Sequence, residues 1–116
     1  MTKPLRILVV EDEMTIALLI EDMLTELGHQ VVALAMRLKP ALEQAEVAEI
    51  DFAILDINLD GSPSFPVADV LTRRGVPFAF ASGYGSTGLD AAYKQHLVVR
   101  KPFQTRDLEL AIERTA

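Results

Sequence analysis

Asp51-Phe52-Ala53-Ile54-Leu55-Asp56-Ile57-Asn58-Leu59-Asp60-Gly61 is an apolar run that gives out at a carboxylate and then breaks at Gly61, Ser62 and Pro63. Its length suits a buried strand, and the breakers turn its end into a loop. The segment is therefore a strand that aims one acid, Asp56, at a loop. A lone Asp in that place is ordinarily a turn former or a helix cap. Asp56 gains meaning only from what the rest of the chain sets beside it.

Before this stretch, Leu5 to Val10 is a continuous β-branched and leucine run, as in a strand covered on both faces, and it stops at Glu11-Asp12-Glu13. From Met14 the period changes. Ile16, Leu19, Ile20, Met23, Leu24 and Leu27 recur at three- and four-residue steps, Glu21, Asp22 and Glu26 take the other side, and Gly28 closes the helix. Gln30 to Ala35 reads as a second strand. Leu38 to Val47 reads as a second helix, with Pro40 in its first turn, where the missing donor is not needed.

After Asp56 a loop is expected to run to Phe65, followed by a helix over Val67 to Arg74 that Gly75 stops. Val76 to Ala81 forms a fourth strand, ending in the glycine-rich loop Ser82-Gly83-Tyr84-Gly85-Ser86. A short helix is expected between Gly88 and Gln95, a fifth strand over Leu97 to Arg100, and a turn at Lys101-Pro102-Phe103. The last helix starts at Gln104 or Thr105, with Asp107 and Arg114 placed favourably for its macrodipole.

Five strands alternating with five helical stretches, uninterrupted by any linker or repeat, specify one α/β domain over residues 1–116, a doubly wound five-stranded parallel sheet. In such sheets ligands sit beyond the carboxyl ends of the strands. Glu11 and Asp12 follow strand one, Asp56 strand three, Ser82 strand four and Lys101 strand five, so all five converge on one rim.

Composition narrows the chemistry. The 116 residues contain no cysteine, and His29 and His96 stand apart, so thiolate and zinc sites are excluded. The formal charge of −6 argues against a nucleic-acid partner, which needs a basic face. No apolar run approaches the ~20 residues of a membrane span. The acidic triplet cuts off the only apolar segment near the start before a signal core forms. A soluble, cytoplasmic protein without membrane contact is expected.

Carboxylates gathered at one rim repel; two unit charges about 5 Å apart at an effective dielectric near 20 cost about 3 kcal/mol. A divalent cation relieves this, and an all-oxygen set favours Mg²⁺, with Mn²⁺ as the alternative. Lys101 adds a positive charge and Ser82 a hydroxyl, a combination suited to a phosphoryl group. No phosphate-binding glycine loop follows any strand. An Asp carboxylate can itself attack phosphorus and hold an acyl phosphate, and Asp56 is the candidate nucleophile.

With Glu11-Asp12 after strand one, Ile54-Leu55-Asp56-Ile57-Asn58 at strand three, Ser82 after strand four and Lys101-Pro102 after strand five, the whole chain resembles a response-regulator receiver domain of two-component signalling. The resemblance implies the flavodoxin-like (βα)5 arrangement with strand order 2-1-3-4-5. It implies a phosphoprotein in which Asp56 receives its phosphoryl group from a histidine kinase or a histidine phosphotransfer protein. Mg²⁺ would be held by Asp12, Asp56 and the backbone carbonyl of Asn58, with Glu11 acting through water. Lys101 would pair with the phosphoryl group, Ser82 would swing towards it, and Lys101-Pro102 would be a cis peptide.

Val98 occupies the place, three residues before the lysine, where the family usually carries a switching Tyr or Phe. Phe80-Ala81-Ser82-Gly83-Tyr84 is instead similar to the Phe-Ala-Thr-Gly-Tyr motif of a subclass that also lacks that aromatic. Tyr84 and its glycine-flanked loop are therefore the candidate switch. Asn58 and Tyr84 are expected to flank the path of an attacking water and to set the lifetime of the acyl phosphate. Asp60 is assigned to the turn with Gly61 and not to the metal. Glu13 is helix N-terminal charge, and His29 and His96 are surface or boundary residues.

The expected function is a stand-alone phosphorelay switch and not a metabolic enzyme. With no output domain after the last helix, its output is a contact with a downstream protein or onward phosphoryl transfer. Two alternatives stand beside it. One is a receiver fragment of a larger regulator or hybrid kinase. The other is a Mg²⁺-dependent aspartyl-phosphate phosphatase or phosphotransferase, whose nucleophile would follow strand one, where this chain reads Glu11-Asp12-Glu13-Met14. A flavodoxin-like electron carrier is disfavoured because no Ser/Thr-rich phosphate loop follows strand one.

Overall fold

The computed structural model describes residues 3–83, 93 and 96–115. Its elements are β1 (Arg6–Val10), α1 (Met14–Glu26), β2 (Gln30–Ala35), α2 (Leu38–Val47), β3 (Phe52–Asp56), β4 (Asn58–Leu59), β5 (Ser62–Pro63), α3 (Phe65–Arg74), β6 (Phe78–Ser82), β7 (Val98–Arg100) and α4 (Thr105–Thr115). The main sheet is parallel, in the order β2-β1-β3-β6-β7. With the small β4–β5 hairpin set aside, this is the expected order 2-1-3-4-5, the flavodoxin-like arrangement. Of the expected helix between Gly88 and Gln95 only Tyr93 is described, and Tyr84 lies outside the described residues.

The two-residue period of the strands splits the core into two layers. Leu8, Val10, Ala53, Leu55, Phe78 and Phe80 pack with Ala41, Ala45, Val67, Ala68 and Leu71 of α2 and α3. Ile7, Val9, Phe52, Ile54, Ala79 and Val99 pack with Ile20 and Leu24 of α1 and with Leu108, Ala111 and Ile112 of α4. β1 and β3 are thus apolar on both faces because both faces are covered, which is why their sequences run without alternation.

Several boundaries differ from the sequence reading, each for its own physical reason. β3 begins at Phe52, since Asp51 is taken by Arg6: its carboxylate accepts from the Arg6 amide at 2.8 Å and from two guanidinium nitrogens at 3.0 Å each. Those bonds hold the Asp51 carboxyl down at about 2. α3 starts two residues early, at Phe65, because Pro66 suits a first helical turn. It closes on Gly75 at φ 73°, the left-handed cap that glycine adopts without a Cβ penalty.

The expected loop after Asp56 contains an antiparallel hairpin, with Leu59 paired to Ser62 around Asp60-Gly61. Both turn residues have positive φ, 52° and 89°. That is the conformation a two-residue hairpin turn requires and that Asp-Gly favours. His29 is another departure. It is buried, and its Nδ1 accepts the Leu5 amide at 3.0 Å, tying the entry of β1 to the α1–β2 connection. His96 is half-buried against Phe78 and Phe80. Among the described residues, no helix is long and apolar enough to cross a membrane.

Candidate functional site

Each site residue stands where a sheet strand ends. The β1–β2 ladder runs one residue past β1, with the Glu11 amide donating to Ala35 at 3.0 Å, which fixes Glu11 at the rim. Asp56 closes β3 opposite Ala81, and the next amide, Ile57, donates to the Ala81 carbonyl at 3.2 Å. Ser82 closes β6 beside Arg100 of β7, and its carbonyl accepts the Lys101 amide at 2.8 Å. The Lys101-Pro102 peptide is cis.

One carboxylate oxygen from each of Glu11, Asp12 and Asp56 falls within 4.8 Å of the others. Lys101 Nζ stands 2.6 Å from Glu11 Oε1 and 3.4 Å from Asp56 Oδ2. The second Glu11 oxygen accepts the Glu13 amide at 3.2 Å. Asp12, Asp56, Asn58, Ser82 and Lys101 line one cleft of about 770 Å³, whose apolar wall is Ile16, Ile57, Pro63 and Phe65. Glu11 lies beneath it, 1% exposed.

The electrostatics separate the acids. Burial, followed by the charge of Glu11, pushes the Asp56 carboxyl up to about 7 against the opposing pull of Lys101. At Asp12 burial acts in the same upward direction. Hydrogen bonding with Glu11, Asp56 and the Asp60 amide outweighs it and leaves the group below its ordinary value. Burial would lower the Lys101 ammonium, but its bond to Glu11 and the charge of Asp56 overcome this and raise it. A carboxyl held near neutrality beside two other acids is a site short of positive charge. The donors are all oxygen and lie at spacings one small hard cation can bridge, so the residues fit Mg²⁺ or Mn²⁺.

The fold thus brings together Glu11, Asp12, Asp56, Asn58, Ser82 and Lys101, the six described residues singled out from sequence. Three participants escaped that reading. The Asp60 amide donates to Asp12 Oδ2 at 3.0 Å, and the Gly61 amide donates to Asn58 Oδ1 at 3.1 Å, so the hairpin orients one acid and braces itself. Phe65 supplies the aromatic wall. The Asp-Gly pair after Asn58-Leu59 was the available signal for the hairpin; nothing local marked Phe65.

An open parallel sheet with an acidic cleft and a lysine at its carboxyl edge is the architecture of a signalling receiver. Residues 7–113 match the response regulator receiver domain family, and the chain belongs to it. It is 31% identical over 116 residues to the transcriptional regulatory protein PdtaR of Mycobacterium tuberculosis, a match spanning 95% of this chain and 56% of PdtaR. The chain therefore spans about half the length of the curated relatives it matches.

The solution structure of SdrG from Sphingomonas melonis Fr1 superposes with a TM-score of 0.84 at 37% identity, covering 97% of both chains. The anti-anti-sigma factor PhyR from Bartonella quintana superposes with a TM-score of 0.83 at 28% identity, over 97% of this chain and 47% of PhyR.

Proposed function

We propose that this receiver domain is a phosphorylation-dependent switch in which Asp56 accepts a phosphoryl group from a phosphohistidine on a kinase or phosphotransfer protein. The observation that carries the reading is the position of Asp56: it ends β3 on the cleft floor with the Lys101 ammonium 3.4 Å away. An Asp56 oxygen attacks phosphorus, the phosphorus–nitrogen bond breaks, and the electron pair leaves on the imidazole, giving an acyl phosphate. Lys101 faces the charge that gathers on the phosphoryl oxygens, and Ser82, on the adjoining strand end, offers a hydroxyl to the same group.

Asp12, Asp56 and the Asn58 carbonyl, with Glu11 through water, would hold Mg²⁺ or Mn²⁺, which supplies charge neutralisation during transfer. Both Glu11 oxygens are already engaged by Lys101 and the Glu13 amide, which supports its indirect part. The output is a change in contact with a downstream protein, a reading supported by the likeness to an anti-anti-sigma factor. The same chemistry holds if the chain is one domain of a longer regulator.

The test is incubation with Mg²⁺ and acetyl phosphate, read by intact mass. One base-labile phosphoryl adduct is expected, lost in Asp56→Asn and on chelation of the metal. A chain left unmodified by small donors and by a phosphorylated histidine phosphotransfer protein would overturn the proposal.

A further inference from the structure

Phe65 belongs to two assemblies at once. Its ring walls the cleft that contains Asp56 and Ser82, and it stacks on the ring of Tyr93 with centroids 4.3 Å apart and planes 6° from parallel. Phe80, two residues before Ser82 on β6, meets both rings edge-on, at 5.9 Å from Phe65 and 6.3 Å from Tyr93. The Tyr93 hydroxyl donates to Asp69 Oδ1 at 2.8 Å. Asp69 lies four residues after Phe65 on α3, so the ring and the hydroxyl of Tyr93 are both held along one face of that helix.

We infer that the Phe65–Tyr93 stack, pinned by the Tyr93–Asp69 hydrogen bond, transmits occupancy of the cleft to the outer surface of α3. The inference rests on the reading of Asp56 as phosphoacceptor. A phosphoryl group on Asp56 brings a dianion into a cleft that one aromatic ring walls. An apolar side chain displaces the anion's water and offers it no hydrogen bond, so Phe65 turns away as the group arrives. A near-parallel stack loses its overlap when one ring turns.

Tyr93 then leaves Phe65, and the bond to Asp69 goes with it. Asp69 is exposed, so the event unmasks its carboxylate on a surface that a protein partner can read.

The experiment uses the full chain with ¹³C-labelled tyrosine. Ring signals are assigned by their loss in Tyr93→Phe, and phosphorylation by acetyl phosphate and Mg²⁺ is followed by mass in the same sample. The Tyr93 ring signals are expected to shift on phosphorylation as the ring current of Phe65 is lost. In Asp69→Ala they are expected to lie displaced in that direction beforehand, with the adduct yield unchanged. Phe65→Leu, which removes the ring, marks where the Tyr93 signals of an unstacked ring lie, and phosphorylation is expected to move the parent's signals towards that position. A full adduct with unmoved Tyr93 signals overturns the coupling and leaves the Asp56 reading standing. No adduct overturns that reading and the coupling with it.

Discussion

Lys101 and Glu11, ninety positions apart in the chain, form an ion pair at 2.6 Å in which Glu11 is 1% exposed. Removing one partner of such a pair strands the other as an uncompensated buried charge. Lys101→Met is therefore expected to destabilise the domain by about 3 kcal/mol at pH 7. The double variant Lys101→Met with Glu11→Gln should recover most of that loss, which urea denaturation of the four proteins measures. Equal stability of the single and double variants would show that Glu11 is not stranded.

Asp56 ties stability to pH with a definite sign. Its carboxyl titrates at about 7 in the folded chain, above the ordinary carboxyl value of 3.8. The folded state therefore binds the proton more tightly than the unfolded state. This contribution is fully present below about 4 and is lost as pH rises towards 7 and beyond. Metal-free Asp56→Asn is expected to be more stable than the parent by about 2 to 4 kcal/mol at pH 8, a difference that shrinks towards pH 5. Mg²⁺ should narrow the gap at pH 8 by stabilising the parent. Thermal melts across that range with and without the metal measure both effects.

Gly61 at φ 89° and Asp60 at φ 52° hold the hairpin that brings the Asp60 amide to Asp12. A side chain with a branched Cβ at Gly61 opposes that backbone, at a cost of about 1 to 2 kcal/mol. Gly61→Val is expected to weaken Mn²⁺ binding several-fold, since Asp12 loses the donor that orients it. Asp60→Asn keeps both the amide and a residue that tolerates positive φ, and should bind Mn²⁺ as the parent does. Titration followed by electron paramagnetic resonance separates the two, and equal weakening would contradict the assignment to the backbone amide.

His29 supplies a second pH response, opposite in sign to that of Asp56. Its Nδ1 accepts the Leu5 amide, so the neutral ring must carry its proton on Nε2, and a second proton breaks the bond. Burial lowers the ring's pKa below the ordinary 6.5. The stabilising contribution is complete above that value and fades as pH falls through the depressed one. In the Asp56→Asn background, stability is expected to fall as pH is lowered from 7 to 5. That slope should vanish in Asp56→Asn with His29→Leu; its persistence there would assign it to another group.

Local chemistry made most of the architecture legible. The two-residue and 3.6-residue periods, with glycine and proline at their ends, marked every described sheet strand and helix, and alternation of the two types dictates a parallel sheet with its site at one edge. Element ends moved where a distant group intervened, as at Asp51, which is held by Arg6, and where a local signal ran further than its period, as at Pro66 in the first turn of α3. The hairpin at Asp60-Gly61 was marked by its dipeptide but hidden within what read as a loop.

By itself, then, the sequence determined that Asp56, Asp12, Ser82 and Lys101 end strands on a common rim, because strand ends follow from periodicity and breakers along the chain. Tertiary structure alone decided that Glu11 is buried under the cleft and bonded to Lys101, that the Asp60 amide orients Asp12, that His29 is enclosed, and that Phe65 lies between the cleft and Tyr93. Those are pairings between residues remote in sequence. Which of them form depends on how the layers pack and what water is excluded, quantities that no local pattern encodes.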